Sequence, residues 1–185
     1  MKKTVLILAV MMVSLTAGAQ KYVIKTNPFG LAFGNFNLTC EKVFSPSSSV
    51  IIAGNYTYNL LGSQISLSGL EGNFTYDLLG SQISLGGFGL GYRYYFTHVR
   101  KAVPSGFYIS PMGEMAIGKI QRSRDTKSSL SEFGIGGLIG YQWSWYSGFT
   151  LDLGIGPMYT MINVDYNLVS SGVLPAGIFT VGFAF

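Results

Sequence analysis

Bulky apolar residues alternate with small or polar ones along most of the chain. In NFNLTCEKVF, Phe36, Leu38, Cys40 and Phe44 share one face while Asn35, Asn37, Thr39 and Glu41 share the other. In GGFGLGYRYYF, Phe88, Leu90, Tyr92, Tyr94 and Phe96 alternate with Gly87, Gly89, Gly91, Arg93 and Tyr95. The same holds for Phe133, Ile135, Ile139, Tyr141, Trp143 and Trp145 against Gly134, Gly136, Gly140, Gln142 and Ser144, and for Phe149, Leu151, Leu153, Ile155 and Tyr159 against Thr150, Asp152, Gly154, Gly156 and Thr160. A period of two is a strand period. The chain stops on another such stretch, GIFTVGFAF, with Gly177, Phe179, Val181, Phe183 and Phe185 on one face. Chain ends are normally frayed and wet, so a terminal aromatic strand implies surroundings other than water.

A soluble sandwich also alternates, but its outer face carries Lys, Glu and Thr and its apolar face is the packed interior. Here the non-apolar face is mostly Gly, Ser, Thr and Asn with isolated charges, which suits the crowded inside of a small closed barrel. Strands of about ten residues, apolar outside and polar inside, are the pattern of a transmembrane β-barrel. In lipid the sheet must close so that every backbone group pairs. The expected fold is therefore an all-β, antiparallel transmembrane β-barrel of eight strands, at 22–33, 35–44, 49–61, 83–97, 105–119, 130–145, 148–162 and 176–185. An even strand number puts both termini on the periplasmic side. SPSS (45–48), HVRKAVP (98–104) and WYSG (145–148) become lower turns, and 62–82, 120–129 and 163–175 become outer loops. The first pair requires a hairpin at Gly34-Asn35, with Pro28 interrupting the first strand.

Composition agrees. Only 11% of the 185 residues are charged, 15% are aromatic and 25 are Gly, against about a quarter charged in ordinary globular domains. MKK followed by the apolar run TVLILAVMMVSLT and by Ala17-Gly18-Ala19 reads as a signal peptide cleaved after Ala19. Residues 1–19 are then a leader and 20–185 one barrel domain. Loss of Lys2 and Lys3 with the leader lowers the formal charge from +4 to +2, too little to suggest nucleic acid. One cysteine and one histidine leave no disulfide and no spaced metal-ligand set, so no metal and no cofactor are expected.

One stretch repeats directly. NYTYNLLGSQISLS (55–68) returns as NFTYDLLGSQISLG (73–86), identical at 11 of 14 positions with an offset of 18. Two copies are too few for a solenoid. Either a local duplication lengthens an outer loop into a projecting hairpin, or residues 65–78 form a barrel strand and 22–43 is a single element.

IKTNPFGLAFGNFNLTCEKVF, FGLGYRYYF, PSGFYISPMGE and the closing FTVGFAF resemble a family of small outer-membrane β-barrels of unknown function, the DUF3575 type of Gram-negative bacteria. The resemblance implies a barrel in the Gram-negative outer membrane and brings no catalytic residue. The ending FAF, with Phe183 and Phe185, also resembles the aromatic signal read by the outer-membrane assembly machinery.

Candidate chemistry is sparse. Glu41, Arg93, Glu114 and Asp152 fall on the inward parity, and Glu41, Arg93 and Asp152 lie about four residues from the lower turns. In a barrel with room for side chains and little else they are expected to form a structural ion cluster, with Arg93 on Glu41 and Asp152 as second acceptor. His98, in HVRK, has no Ser and acid at a spacing that would make a nucleophile and base, and is expected to be a solvated turn residue. KIQRSRDTK offers Lys119, Arg122, Arg124 and Lys127 for contact with lipopolysaccharide phosphates. Tyr56, Tyr58, Tyr92, Tyr94, Trp143 and Trp145 suit interface girdles. The expected role is structural or surface-interacting, not enzymatic, with outer-membrane lipids and the assembly machinery as partners. Binding or passage of a small apolar ligand is the alternative, and a lipid-modifying enzyme a further one.

Overall fold

In a computed structural model the residues described are 21–32, 34–58, 82–96, 104–123, 126–165 and 167–185. Eight strands form a closed antiparallel barrel in sequence order: β1 Tyr22–Thr26, β2 Asn35–Ser45, β3 Ser48–Tyr58, β4 Gln82–Tyr95, β5 Gly106–Ser123, β6 Thr126–Ser144, β7 Phe149–Val164 and β8 Asn167–Ala184. A short helix, α1 (Pro28–Ala32), follows β1. Closure is the pairing of β1 with β8, from Val23 opposite Ala184 to Thr26 opposite Val181.

The register fixes the dimensions. Following the ladder from Val23 through Glu41, Ile51, Gly91, Met112, Gly136 and Met158 leads to Leu174, ten residues from the Ala184 that Val23 pairs with. That stagger over eight strands, at ~3.3 Å rise and ~4.8 Å spacing, tilts the strands by about 41° and sets a backbone radius of about 8 Å. Such a lumen is filled by side chains.

Burial is inverted relative to a water-soluble globule. Lys25, Glu41, Arg93, Gln142 and Asp152 are buried, whereas Phe36, Leu38, Phe88, Leu90, Ile117, Ile135, Ile139 and Ile155 are exposed. The outward positions stay almost wholly apolar from Phe107 to Ile117 on β5, Trp145 to Phe133 on β6, Phe149 to Met161 on β7 and Phe183 to Val173 on β8. These eleven to thirteen residues climb ~2.5 Å each along a barrel tilted this far, a belt of about 27–33 Å. Above the belt the outward positions turn polar, at Lys119, Ser131, Asn163 and Ser171. Tyr56, Tyr92, Tyr94, Trp143 and Trp145 all face outward.

Three expectations are corrected. The first strand ends at Thr26 instead of running to residue 33, and no hairpin forms at Gly34-Asn35. Asn27 caps a helix there, its Oδ1 accepting from the amides of Phe29 (3.0 Å) and Gly30 (3.1 Å). Pro28 occupies the first helical position, where its missing N–H is no loss. Gly34, at φ 76°, turns the chain into β2. The outer loops expected at 120–129 and 163–175 are mostly strand: β5 runs on to Ser123, β6 begins at Thr126, and β8 begins at Asn167. Backbone pairing continues there although the side chains no longer alternate in polarity. At the β7–β8 turn Asp165 takes φ 49°, and its Oδ1 accepts from the Ser129 amide at 2.8 Å.

The repeat divides between β3 and β4, which pair directly from Ser48 opposite Tyr94 to Tyr58 opposite Ser84. The barrel therefore closes without a strand from 65–78, and 22–43 is not one element. Residues 59–81, between the two, lie outside the described residues, as do residues 1–19, where a leader is expected, and His98.

The direct contact of β3 with β4 makes the repeat removable. Deleting Asn55 to Gly72 splices Gly54 to Asn73, so that Asn73-Phe74-Thr75-Tyr76 replaces Asn55-Tyr56-Thr57-Tyr58 in register. The shortened protein should still fold, with a β circular dichroism spectrum and different migration of boiled and unboiled samples on a denaturing gel. Identical migration would mean that residues within the excised segment are needed for closure.

Candidate functional site in the lumen

Near the end where β1 starts and β8 finishes, the inward positions of β1, β2, β4 and β7 bring four charges together. Lys25 Nζ lies 2.6 Å from Glu41 Oε2 and 2.8 Å from Asp152 Oδ2. Arg93 Nη1 pairs with Asp152 Oδ2 and lies 3.6 Å from Glu41 Oε2. All four side chains are essentially inaccessible to solvent. Two cations and two carboxylates leave no net charge, and each cation touches both acids.

Neutral side chains complete the set. Gln142 Oε1 accepts from Lys25 at 2.5 Å and from Arg93 at 3.1 Å, while its Nε2 donates to the Pro104 carbonyl at 3.0 Å. Tyr95 donates to Glu41 Oε1 at 2.8 Å, and Ser49 donates to the same oxygen. Tyr108 donates to Asp152 Oδ1 at 2.7 Å, and its ring lies under the Arg93 guanidinium, 4.2 Å from ring centroid to Cζ. Seven of the eight strands, β1 to β7, thus supply a side chain. Each isolated ion would lose several kcal/mol of solvation here; mutual pairing and these donors offset it.

Glycine on the flanking strands makes the space. A Cβ at Gly140 or Gly154 would come within 2.3 or 2.7 Å of the Tyr108 hydroxyl. A Cβ at Gly182 would meet Lys25 Cγ at 2.7 Å. The small residues of the alternating pattern are therefore the cross-strand neighbours over which the large polar side chains lie.

The structure joins Glu41, Arg93 and Asp152, but in a different order from that expected. Asp152 is the main acceptor of Arg93, and Glu41 is held chiefly by Lys25. Lys25 was missed, although the alternation of Tyr22 and Ile24 with Val23 and Lys25 turns it inward. Gln142, Tyr95 and Tyr108 were missed as partners too. Glu114 faces the lumen but takes no part in these ion pairs; it lies higher, opposite Gly134, whose missing side chain is replaced by the Glu114 stem and the Met158 sulfur. The basic segment is not a loop. Lys119 is exposed on the outward face of β5, Arg122 and Lys127 lie on β5 and β6, and Arg124 lies outside the described residues. Phe185 is tied to Tyr22 by reciprocal backbone hydrogen bonds of 2.9 and 3.2 Å and by ring stacking at 6.3 Å, while Phe183 points outward.

Chemically this is a closed site. Every oxygen of Glu41 and Asp152 already faces a cation or a hydroxyl donor, so neither is poised to move a substrate proton. Among the described residues no group of three or more His, Cys, Asp and Glu could hold a metal.

Arg93→Ala leaves two buried carboxylates sharing one lysine and should destabilise the barrel by roughly 3 to 5 kcal/mol, read from urea unfolding in detergent. Arg93→Gln combined with Glu41→Gln, which again balances one cation against one anion, should recover part of that loss. A loss below about 1 kcal/mol for Arg93→Ala, the scale of an exposed pair, would mean that water reaches the cluster.

No curated protein and no solved structure matches the chain. A family profile described as a protein of unknown function (DUF3575) matches residues 5–172. With that match spanning most of its length, the chain belongs to the DUF3575 family.

Proposed function

We propose that the protein is a non-enzymatic β-barrel of the Gram-negative outer membrane, exported by a leader cleaved after Ala19, with a structural or surface-interaction role. The observation that carries this reading is the inverted burial: ions inside and an apolar belt outside. A continuous exposed apolar surface of that size is unfavourable in water. Its height of about 27–33 Å suits the ~25 Å apolar band of outer-membrane barrels with its aromatic margins. A sheet without free edges is what lipid demands. Trp143, Trp145, Tyr94 and the Tyr22–Phe185 pair would lie at the periplasmic margin, and the long β5–β6 and β7–β8 hairpins would rise beyond the outer leaflet. Lys119, just above the belt, would contact lipopolysaccharide phosphates, with Arg122 and Lys127 further along the same strands.

The neutral cluster favours a barrel that does not conduct over one that passes solutes, since seven strands send side chains to the constriction. Two measurements test the proposal. Fractionated envelopes should carry the protein in the outer membrane with Gln20 at its N-terminus; recovery in the soluble fraction would refute it. In planar bilayers the purified barrel should show no discrete channel steps, and steady single-channel conductance would favour passage of a solute instead.

The end of β8 gives a separate test. Changing Phe185 to Asp should leave export and leader cleavage intact but reduce the heat-modifiable, membrane-inserted form several-fold. Normal insertion would show that Phe185 is not needed for assembly.

A further inference from the structure

A second carboxylate lies in the upper lumen, well away from the cluster. Glu132 is on the inward face of β6, ten residues up the strand from Gln142, or about 25 Å along the axis at ~2.5 Å per residue. It is only 9% exposed. Its register neighbours on β5 and β7 are Ala116 and Ile162, neither of which can bond to it. Among the residues whose side chains are described, Glu132 has no hydrogen-bond or ion-pair partner: Lys25 and Arg93 are committed to the lower cluster and Lys119 points outward.

The surroundings point to the missing partner. Diagonal to Glu132 stand Glu114 on β5 and Thr160 on β7, and the Thr160 Oγ1 is buried without a hydrogen-bond partner. In the next inward row Leu130 and Val164, only partly buried, pack with Leu85 and with Ala116 beside Glu132, and so form an accessible apolar collar. Beside Thr160, its register partner on β8 is Gly172, where a Cβ would meet nothing within 4 Å. Two carboxylates and a hydroxyl thus border free space in the upper lumen, next to a partly buried apolar collar.

We propose that this cup binds an amphiphilic amine, with its ammonium on Glu132 beside Glu114 and Thr160 and its hydrocarbon part against the Leu85–Leu130–Val164 collar. A hard divalent cation would need six or more oxygen ligands, and the collar supplies none. An ammonium needs only a few acceptors and carries the apolar body that the collar matches. Burial of an unpaired carboxylate is unfavourable, and a cationic head removes that penalty. The cup lies above the plug and does not depend on where the barrel resides.

The test uses the purified, refolded barrel in a non-ionic detergent, with octylamine, octanol, octanoate and calcium chloride titrated in separate calorimetric runs. Octylamine should bind one per barrel and at least tenfold more tightly than octanol, octanoate should not bind, and calcium alone should give no binding heat. Glu132→Gln should lower octylamine affinity at least tenfold, to the octanol level, while heat modifiability reports that the variant is folded. Equal binding of amine and alcohol by the unaltered protein, unchanged octylamine affinity in Glu132→Gln, or calcium binding that Glu132→Gln abolishes would each overturn the proposal. The comparison of the four probes decides the matter on the unaltered protein alone, even if Glu132→Gln does not fold.

Discussion

Two cations and two carboxylates share one dry level of a lumen about 8 Å in backbone radius, and much of the barrel is arranged around them. None of the four could stand there alone. Lys25 touches both acids, and Arg93 lies against both, so removing any one member strands the others. Tyr95, Tyr108 and Ser49 donate to the remaining carboxylate oxygens, and Gln142 accepts from both cations. Because the members come from β1, β2, β4 and β7, the cluster fastens together strands that are not neighbours in the sheet. It also ties the five-residue β1, the shortest strand, to β6 and β7.

The same constraint explains the composition. A narrow lumen that holds an arginine, a lysine and two inward tyrosines has no space for side chains facing them. Hence Gly140 and Gly154 beside Tyr108, and Gly182 beside Lys25. Higher in the barrel, where Gly134 is covered by Glu114 and Met158, the inward face changes character: Asn35, Asn37, Thr57, Glu114 and Thr160 are its polar groups, an apolar collar lies among them, and Glu132 pairs with no cation whose side chain is described. The lumen thus has two regions, a balanced plug below and an unbalanced cup above.

Parity carried most of what could be read in the sequence. It placed Glu41, Arg93 and Asp152 inward and set the strand number, because a period of two fixes which face a residue takes regardless of strand ends. It was weaker on boundaries. The expected first strand ran through Asn27-Pro28, where a side-chain cap and a proline at the first helical position favour a helix. The expected eighth strand began at Ala176, nine residues later than Asn167, because apolar alternation fades above the belt while backbone pairing does not. Partner choice was beyond parity as well. Whether Arg93 meets Asp152 or Glu41 first depends on a ten-residue stagger around the barrel, and only the three-dimensional register supplies it.

A double-mutant cycle between Lys25 and Asp152 tests the cluster most directly, since these residues sit on strands separated by β8 and can influence each other only through the lumen. Lys25→Met, Asp152→Asn and the double variant would be unfolded by urea in detergent and compared with the unaltered barrel. A shared buried cluster predicts a coupling of about 2 kcal/mol or more, with the double variant much less destabilised than the sum of the single ones. Additive losses, within about 0.5 kcal/mol, would contradict it.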